Sequence, residues 1–524
     1  MSQFLTLSDA IATHARLMPN KLGARDSRRS LNYDLWNERA SRLADGLLSA
    51  GLKTGDRVGL LAYNCLEWLE IYVALARAGL VAVPVNFRLT GPEIAYILNN
   101  AEVSAVIAGA EFCDMLDAHK TDLALPAGRR FVLGDAPDTD WISYETLISS
   151  SNPARNFATV DPESMCALMY TSGTTGKPKG AIRNHQGSYL IALATALEMG
   201  FSKDDTGLLV MPMCHANSLY FATTFMHLGA PCIIDDRRSY DPEALLATLS
   251  QEKVTFTSLV PTHYIMLLSL PDEVKKKYDV SSVGRLLVSS APARRDTKLG
   301  ILDYFKNGRL YELYGSTEAG WVTLLRPNEQ LTKLGSVGRE WSGSGYIRLL
   351  NENREEVADG EVGELFSRTP YVFDGYWKNP EKTDEAFDGG WCSVGDMAYR
   401  DEDGYIWLVD RKSNMIISGG ENVYPSEVEG AIGAHTAVKD VAVIGMPHEK
   451  WGESVHAVVV LHEGEQASEA EIRQWCRDRL AGFKCPSRVS FIADQDMPRT
   501  ATGKIVHRHL KNHFADEASS LQAV

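Results

Sequence analysis

Apolar positions in the first part of the chain change repeatedly between helical and strand spacing. An apolar face at helical spacing predicts a helix that ends at Gly51, and residues 57–62 predict a short buried strand. A second helix is predicted over residues 67–78, and a second buried strand over residues 81–85. This β-α-β order indicates a parallel sheet covered by helices.

The same pattern returns in the middle of the chain. Strands are predicted at residues 207–211, 232–234, 255–259 and 285–288, with a helix over residues 241–252. After about Gly335 the strands are separated by turn residues, as at residues 363–367 and 405–409, which predicts a smaller β-rich part.

The last segment of the chain mixes strands and a helix in an α+β order. Strands at residues 441–444, 456–460 and 489–492 alternate with a helix over residues 469–480. We therefore predict an α/β protein with two domains. Residues 1–411 form a large N-terminal domain of stacked α/β subdomains with a β-rich subdomain, and residues 412–524 form a small α+β domain.

Composition narrows the classes of function. The chain has 524 residues, too many for one hydrophobic core, and 53 basic against 68 acidic side chains give a net charge of −15. This acidic balance argues against nucleic acid and membrane surfaces as partners. The eight cysteines include no CxxC pair, and no apolar stretch is long enough to span a membrane. We expect a soluble, cytoplasmic protein with reduced thiols.

The most informative stretch is YTSGTTGKPKG at residues 170–180, which follows a predicted apolar strand. Its glycines, hydroxyls and lysines suit a polyphosphate, although such composition alone more often marks a flexible surface turn. It is not a P-loop, because Thr171 stands where the first glycine belongs and Pro178 follows Lys177.

Further motifs follow the loop in a fixed order. They are YGSTE at residues 314–318, GYW at 375–377, Gly395-Asp396, Asp410-Arg411, ISGGENVYPSEVE at 417–429 and PRTATGKI at 498–505. Together with the loop, this series resembles the adenylate-forming (ANL) superfamily, which includes the AMP-forming acyl-CoA synthetases. The resemblance covers essentially the whole chain. It implies that a carboxylic acid attacks ATP to give an acyl-adenylate and pyrophosphate, and that a thiol then displaces AMP.

The resemblance assigns phosphate-binding and metal-binding roles. The residues implied to contact the β- and γ-phosphates are Thr171, Ser172, Gly173, Thr174, Thr175, Gly176 and Lys179. Thr317 is implied to reach the α-phosphate, and Glu318 to help hold Mg²⁺, a cation that prefers carboxylate and phosphate oxygens.

Adenosine recognition follows from the same resemblance. The residues implied are Ser290, Ala291, Pro292, Tyr314 and Gly315 around the adenine, and Asp396 and Arg411 at the ribose. Without the family pattern, Asp396 would be an ordinary turn residue after Gly395.

The small C-terminal domain is implied to be mobile. Lys504 resembles the lysine that enters the active site during adenylation, and Ser413 stands at the hinge position, where Asp or Lys is more common. Gly419, Gly420, Glu421 and Lys484 are the candidate contacts of coenzyme A. ATP, Mg²⁺ and coenzyme A are thus the expected cofactors and co-substrates.

The segment PMCHANS at residues 212–218 distinguishes among members of the superfamily. Peptide-synthetase domains place Asp where His215 stands, so a CoA ligase is favoured, with His215, Asn217, Ser218 and Ser289 around the acyl group. A core histidine is the alternative for His215. Medium-chain or aromatic acids are favoured over acetate and long-chain fatty acids.

Three alternatives stay open. The acyl acceptor is a carrier protein instead of coenzyme A, or the chain is a luciferase-like oxygenase, or it only binds nucleotides. The expected partners are a small carboxylic acid, ATP and coenzyme A, and a homodimer is one option for the assembly.

Overall fold

The computed structural model describes residues 4–123, 125–126, 128–135, 140–171, 177–289, 293–412, 414–418, 421–448, 451–499, 503 and 505–522. The chain divides into two compact units. The first comprises Met1–Ile347 and Ser367–Val394, and the second comprises Arg348–Phe366 and Gly395–Val524. Each unit is described by itself below.

The helices vary from one turn to more than four. In chain order they are α1 (Leu7–Leu17), α2 (Tyr33–Ser49), α3 (Glu67–Ala78), α4 (Gly91–Asn100), α5 (Cys113–Ala118), α6 (Tyr144–Ser149), α7 (His185–Met199), α8 (Ala216–Leu228), α9 (Pro242–Gln251), α10 (Pro261–Leu268), α11 (Asp272–Lys275), α12 (Arg295–Tyr304), α13 (Pro380–Ala386), α14 (Pro425–Gly433), α15 (Glu469–Arg477) and α16 (His507–Gln522). No helix within these described ranges combines the length and apolar character that a membrane span needs.

The strands are mostly short. They are β1 (Leu22–Arg25), β2 (Ser30–Asn32), β3 (Arg57–Leu61), β4 (Val81–Pro84), β5 (Val103–Gly109), β6 (Arg130–Leu133), β7 (Ile142–Ser143), β8 (Met165–Thr171), β9 (Lys179–Asn184), β10 (Gly207–Leu209), β11 (Cys232–Ile234), β12 (Phe256–Leu259), β13 (Arg285–Val288), β14 (Arg309–Ser316), β15 (Gly320–Leu325), β16 (Arg339–Glu340), β17 (Arg348–Leu350), β18 (Gly363–Phe366), β19 (Phe387–Asp388), β20 (Trp391–Cys392), β21 (Asp396–Arg400), β22 (Ile406–Arg411), β23 (Ile416–Ser418), β24 (Glu421–Val423), β25 (Val438–His448), β26 (Gly452–Leu461) and β27 (Arg488–Phe491).

Two large sheets form the frame of the first unit. One has seven strands in the order β7-β6-β5-β3-β4-β8-β9, and the other has nine in the order β16-β15-β14-β13-β12-β10-β11-β1-β2. Strands β10 to β14 of the second sheet pair in parallel, while β15 returns antiparallel to β14. This is the covered parallel sheet that the β-α-β order predicts.

One hydrophobic core joins the two sheets. It contains Leu60 and Met169 from the seven-stranded sheet and Phe256 and Leu287 from the nine-stranded sheet, together with the inward faces of α1, α2, α3, α7 and α8. Smaller cores cover the outer faces, with α4 and α5 on the first sheet and α9, α10 and α12 on the second. The central strands β3, β4, β10, β11 and β12 are buried on both faces, so they are mostly apolar runs.

The second unit contains two further sheets. An antiparallel sheet has the order β17-β18-β21-β22, and a five-stranded sheet has the order β24-β23-β26-β25 with β27 beside β26. Helices α14 and α15 share a core with one face of the larger sheet, and α16 packs Leu510 and Phe514 on the other. Since β22 pairs with β21 inside this unit, the boundary predicted between residues 411 and 412 stays a prediction.

Candidate active site

Several predicted site residues of the first unit lie where parallel strands of the nine-stranded sheet end. Residues 210–215 follow β10, Ser289 follows β13, and Tyr314–Ser316 form the last residues of β14. Carboxyl ends of neighbouring parallel strands lie at one edge of a sheet, the usual location of a ligand in an open α/β fold. His215, Ser289, Tyr314 and Thr317 therefore follow or end strands at one edge of this sheet.

Glu318 lies in the turn between β14 and β15, and its side chain is buried. Its Oε1 accepts a 3.0 Å hydrogen bond from the Thr171 hydroxyl and a 2.9 Å hydrogen bond from the Tyr376 hydroxyl. Thr171 is the last residue of β8, so this contact joins the end of the seven-stranded sheet to the nine-stranded one. Two donors on one oxygen fix the orientation of the carboxylate.

Tyr376 reaches Glu318 because its segment extends the edge of β9. Ile182 donates to the carbonyl of Gly375, and Trp377 donates to the carbonyl of Gly180. Lys179, the first residue of β9, places its ammonium 4.2 Å from the centre of the Tyr376 ring. Lys179, predicted to bind phosphate, thus contacts the ring of Tyr376, and Glu318, predicted to hold Mg²⁺, contacts its hydroxyl.

Gly315 is required by the narrowness of the β14–β15 hairpin. A Cβ at this position would lie 2.3 Å from the carbonyl oxygen of Gly320. The pairing register of β14 and β15 shifts between Tyr314 and Gly315, which marks a β-bulge. Such a bulge changes the direction of nearby side chains, here the half-buried Tyr314 and Ser316. Gly315, which is predicted to contact adenine, is therefore also needed for the two strands to pair this closely.

The predicted acyl-binding side chains divide into two groups. Asn217 Nδ2 donates a 2.9 Å hydrogen bond to Ser289 Oγ, while Asn217 Oδ1 is buried with no partner among the described residues. Ser218, by contrast, donates its hydroxyl to the carbonyl of Met211 at 2.6 Å, which anchors the start of α8. Asn217 and Ser289 are brought together as predicted, and the Ser218 hydroxyl is occupied by the backbone.

His215 is the residue before α8, and its Nε2 is buried without a partner among the described residues. Burial, with a smaller contribution from the charge of Arg88, lowers the pKa of His215 to about 4. The ring is therefore neutral at physiological pH. Asn64 fixes the preceding segment, since it donates to the carbonyls of Val210 and Met211 and accepts from the Met213 amide.

In the second unit, Asp396 and Arg411 face each other across β21 and β22. Arg411 Nε lies 3.0 Å from Asp396 Oδ1, and the two residues are register partners. Asp396 is 8% exposed, which is low for a turn aspartate. The two residues predicted to bind the ribose thus form an ion pair with each other.

The remaining predictions on the second unit are partly described. Glu421 begins β24 and is exposed, and Lys484 Nζ pairs with both oxygens of Glu427 at 2.7 Å. Arg499 and Ile505 form a β-bridge on either side of the Lys504 segment, and Arg499 is held by Asp440. The predicted residues that lie outside the described ones are Ser172, Gly173, Thr174, Thr175, Gly176, Ser290, Ala291, Pro292, Ser413, Gly419, Gly420 and Lys504.

Comparison with known proteins identifies the family. Residues 11–377 match the family described as AMP-binding enzyme, and residues 427–504 match the AMP-binding enzyme C-terminal domain. The chain belongs to the family of AMP-binding enzymes. Within it, this AMP-binding enzyme is an acid–thiol ligase of the acyl-CoA synthetase type, because the relatives that it matches over nearly their full length include several carboxylic acid–CoA ligases.

Three similar proteins illustrate this placement. The indoleacetate–CoA ligase of Aromatoleum aromaticum is 34% identical over 508 residues, 96% of each chain. The feruloyl-CoA synthase of an Amycolatopsis species is 35% identical over 503 residues, 95% of this chain and 97% of the relative. The crystal structure of the anthranilate CoA ligase AuaEII with anthranoyl-AMP superposes with a TM-score of 0.86 at 26% identity, covering 99% of both chains.

The AMP-binding enzyme has one carboxylate suited to a metal at the predicted phosphate site. Glu318 Oε1 is engaged by Thr171 and Tyr376, whereas Oε2 makes no hydrogen bond within the described part of the chain. No group of three or more His, Cys, Asp or Glu side chains in that part could hold a metal by itself. A single carboxylate fits Mg²⁺, which is commonly bound by one or two carboxylates, substrate phosphates and waters.

Three residues of the AMP-binding enzyme contribute to this site without having been predicted as site residues. Tyr376 could have been found from the sequence, since it stands in the GYW motif at residues 375–377. Asn64 follows a predicted strand, and no sequence motif marks it as a site residue. Arg183 is buried in β9, where its guanidinium donates to the carbonyls of Thr317 and Glu318. An arginine within an apolar strand pattern gives no indication of what it contacts.

Proposed function

We propose that the enzyme joins an aromatic carboxylic acid to coenzyme A at the expense of ATP, with AMP and pyrophosphate as products. The observation that carries this proposal is the hydrogen bond from Asn217 to Ser289, next to an Asn217 Oδ1 that is buried with no partner among the described residues. A hydroxyl or N–H group of the acid would satisfy the free Asn217 Oδ1. The indoleacetate, feruloyl and anthranilate specificities of the relatives support an aromatic acid.

In the first half-reaction, a carboxylate oxygen of the acid attacks the α-phosphorus of ATP. A bond forms between that oxygen and phosphorus, the bond from phosphorus to the bridging oxygen breaks, and pyrophosphate leaves. Thr317 would donate a hydrogen bond to the phosphate and Lys179 would supply positive charge, and both would stabilise the developing charge. Mg²⁺, held by Glu318 and phosphate oxygens, would neutralise part of the phosphate charge.

Lys504 would bind the acid carboxylate and phosphate during this step, and Asp396 would accept hydrogen bonds from the ribose hydroxyls. In the second half-reaction, the sulfur of coenzyme A attacks the acyl carbon, its proton passes to solvent, and AMP leaves. We propose that rotation of the C-terminal domain at Ser413 separates the two half-reactions, with Gly419, Gly420, Glu421 and Lys484 beside coenzyme A.

The test is release of AMP from ATP and Mg²⁺ with indoleacetate, ferulate, anthranilate, hexanoate, palmitate and acetate, each with and without coenzyme A. We expect AMP and the matching thioester in equal amounts, only when coenzyme A is present, and fastest with an aromatic acid. Preference for palmitate would overturn the substrate class while leaving the ligase reaction intact.

Two other outcomes would change the acceptor or the class of protein. If acids drive exchange of pyrophosphate into ATP but coenzyme A releases no AMP, the acceptor is another thiol, such as that of a carrier protein. If ATP binds but no acid supports exchange, the protein only binds nucleotides. Lys504→Ala is the negative control for the exchange, since loss of its positive charge should slow adenylation by at least about 100-fold.

A further inference from the structure

Arg183 is a buried cation beneath the turn that carries Thr317 and Glu318. It is 4% exposed, and it lies in β9 beside the edge occupied by residues 374–377. Its Nη1 donates to the carbonyls of Thr317 at 3.3 Å and Glu318 at 3.1 Å, and its Nη2 donates to the carbonyl of Tyr371 at 2.6 Å.

These hydrogen bonds to carbonyl groups take the place of the carboxylate that usually pairs with a buried arginine. Within the described part of the chain no carboxylate forms an ion pair with Arg183, and its guanidinium lies 5.5 Å from the centre of the Tyr220 ring. Burial of an unpaired charge is costly unless hydrogen bonds compensate it. Three carbonyl groups and one aromatic face therefore hold the charge at this place.

The bonds act on the backbone of two neighbouring residues. Tyr220 adds a second donor to the carbonyl of Thr317, through its hydroxyl at 3.3 Å. The carbonyls of Thr317 and Glu318 belong to the two peptide planes on either side of the Glu318 Cα. Because each peptide plane is rigid, fixing both carbonyls fixes the direction of the Glu318 Cα–Cβ bond. The turn is thus held through its backbone, in addition to the bonds from Thr171 and Tyr376 to the Glu318 carboxylate.

We propose that Arg183 is a positioning residue for adenylation, which holds the Thr317–Glu318 turn in the geometry that binds magnesium and ATP. This inference rests on the function proposed above. The planar guanidinium has donors in a fixed fork that can reach three carbonyls, whereas a lysine ammonium is a point charge on a flexible chain. The role therefore depends on arginine itself and not on positive charge alone.

The test compares Arg183→Lys with Arg77→Lys. Arg77 is a matched control, since it is 7% exposed and donates to Asn37 and to the hydroxyls of Ser8 and Ser41, all within α1, α2 and α3. Three measurements are made on each full-length variant. They are the acid-dependent exchange of pyrophosphate into ATP as a function of Mg²⁺, thioester formation from synthetic acyl-adenylate, and binding of ATP with Mg²⁺ by calorimetry.

For Arg183→Lys we expect exchange to fall by about 100-fold, because small displacements of positioned groups have effects of that size. The Mg²⁺ concentration for half-maximal exchange should rise, while KM for the acid and the thioester step stay as in the wild type. Arg77→Lys should change none of these. Equal losses in both half-reactions, or no loss at all, would overturn the positioning role.

Calorimetry separates failure of this inference from failure of the proposed function. If the wild type uses no acid, weakened binding of ATP with Mg²⁺ in Arg183→Lys still supports the role, and unchanged binding refutes it. If Arg183→Lys does not fold, Tyr220→Phe removes the other donor to the Thr317 carbonyl. It should shift the Mg²⁺ dependence in the same direction by a smaller factor, and no shift would refute the inference.

Discussion

The hydroxyl of Tyr376 donates a 2.9 Å hydrogen bond to Glu318 Oε1 across 58 positions of the sequence. Thr171 donates to the same oxygen from the end of β8. The carboxylate is therefore oriented by two neutral hydroxyls on one oxygen, and Oε2 makes no hydrogen bond within the described part of the chain. Because neither of these donors is charged, the carboxylate is not paired with a cation through them, as the proposed Mg²⁺ site requires.

Replacing Tyr376 by phenylalanine removes one of these donors and leaves the ring beside Lys179. We expect the adenylation rate to fall by about 10- to 100-fold, the size expected for a hydrogen bond to a charged group. The Mg²⁺ requirement should increase as well. The measurement is pyrophosphate exchange over a range of Mg²⁺ concentrations.

Tyr33→Phe is the matched control for this variant. Tyr33 is also buried, and its hydroxyl donates to the carbonyl of Ala230 in a different part of the unit. It should leave the Mg²⁺ dependence unchanged. If Tyr376→Phe exchanges pyrophosphate as fast as wild type at limiting Mg²⁺, the hydrogen bond to Glu318 has no catalytic role.

Lys504→Ala should separate the two half-reactions. Loss of its positive charge is expected to slow adenylation by at least about 100-fold, since donors aimed at developing charge contribute that much. Thioester formation from preformed acyl-adenylate should be spared. Lys511→Ala is the control, because Lys511 is a solvent-accessible lysine of the same unit that pairs with Glu453. Equal loss in both half-reactions would contradict the predicted role of Lys504.

Asn217→Leu tests the role in acyl binding that we propose for Asn217. The substitution removes the donor to Ser289 and the free Oδ1 while keeping a similar volume. We expect kcat/KM for a hydroxylated aromatic acid to fall by about 10- to 100-fold relative to its unsubstituted analogue, since one unmet hydrogen bond has this effect. Competition between the two acids in one reaction measures the ratio. A ratio equal to that of the wild type would exclude Asn217 as a specificity residue.

Buried histidines make stability depend on pH. Burial lowers the pKa of His185 to about 4, from an ordinary value of 6.5, and the pKa values of His215, His227, His263 and His456 are lowered in the same way. Between these pH values the unfolded chain binds more protons than the folded one. Stability is therefore lost as the pH falls from 6.5 towards 4.

Thermal unfolding between pH 4.5 and 7.5 measures this effect. We expect Tm to fall with decreasing pH below 6.5, and His185→Gln to make that dependence less steep by removing one of the protons taken up. His462→Gln, at an exposed position, should leave the slope as it is. A His185→Gln variant with the wild-type slope would show that His185 is not the group titrated.

Elements with signals at both ends were predicted well from the sequence. Helix α3 has the bounds predicted, Glu67–Ala78, because Gly79 adopts the left-handed conformation that ends it. Strand β22 runs on to Arg411, beyond the predicted residue 409, since pairing with β21 and the Asp396 contact extend it past the apolar run. Helix α8 was missed because it is buried between the two sheets, is apolar on nearly all sides and lacks a helical period.

The motifs led to several candidate site residues whose roles stay predictions. Thr171, Glu318, Asn217 and Ser289 stand in recognisable segments, and the structure brings them together in pairs. The residues that hold the backbone near these side chains could not be predicted in the same way. Asn64 and Arg183 act through backbone carbonyls of segments more than 100 positions away, and such contacts leave no local pattern in a single sequence.

The closeness of Gly315 to the Gly320 carbonyl has a consequence for natural variation. No side chain fits between the two strands there, so a mutation cannot be absorbed by a change of rotamer. Substitution would push β14 and β15 apart, and Tyr314 and Glu318, on either side of the glycine, would move with them. A single base change could therefore inactivate the enzyme while leaving every residue assigned a chemical role in place.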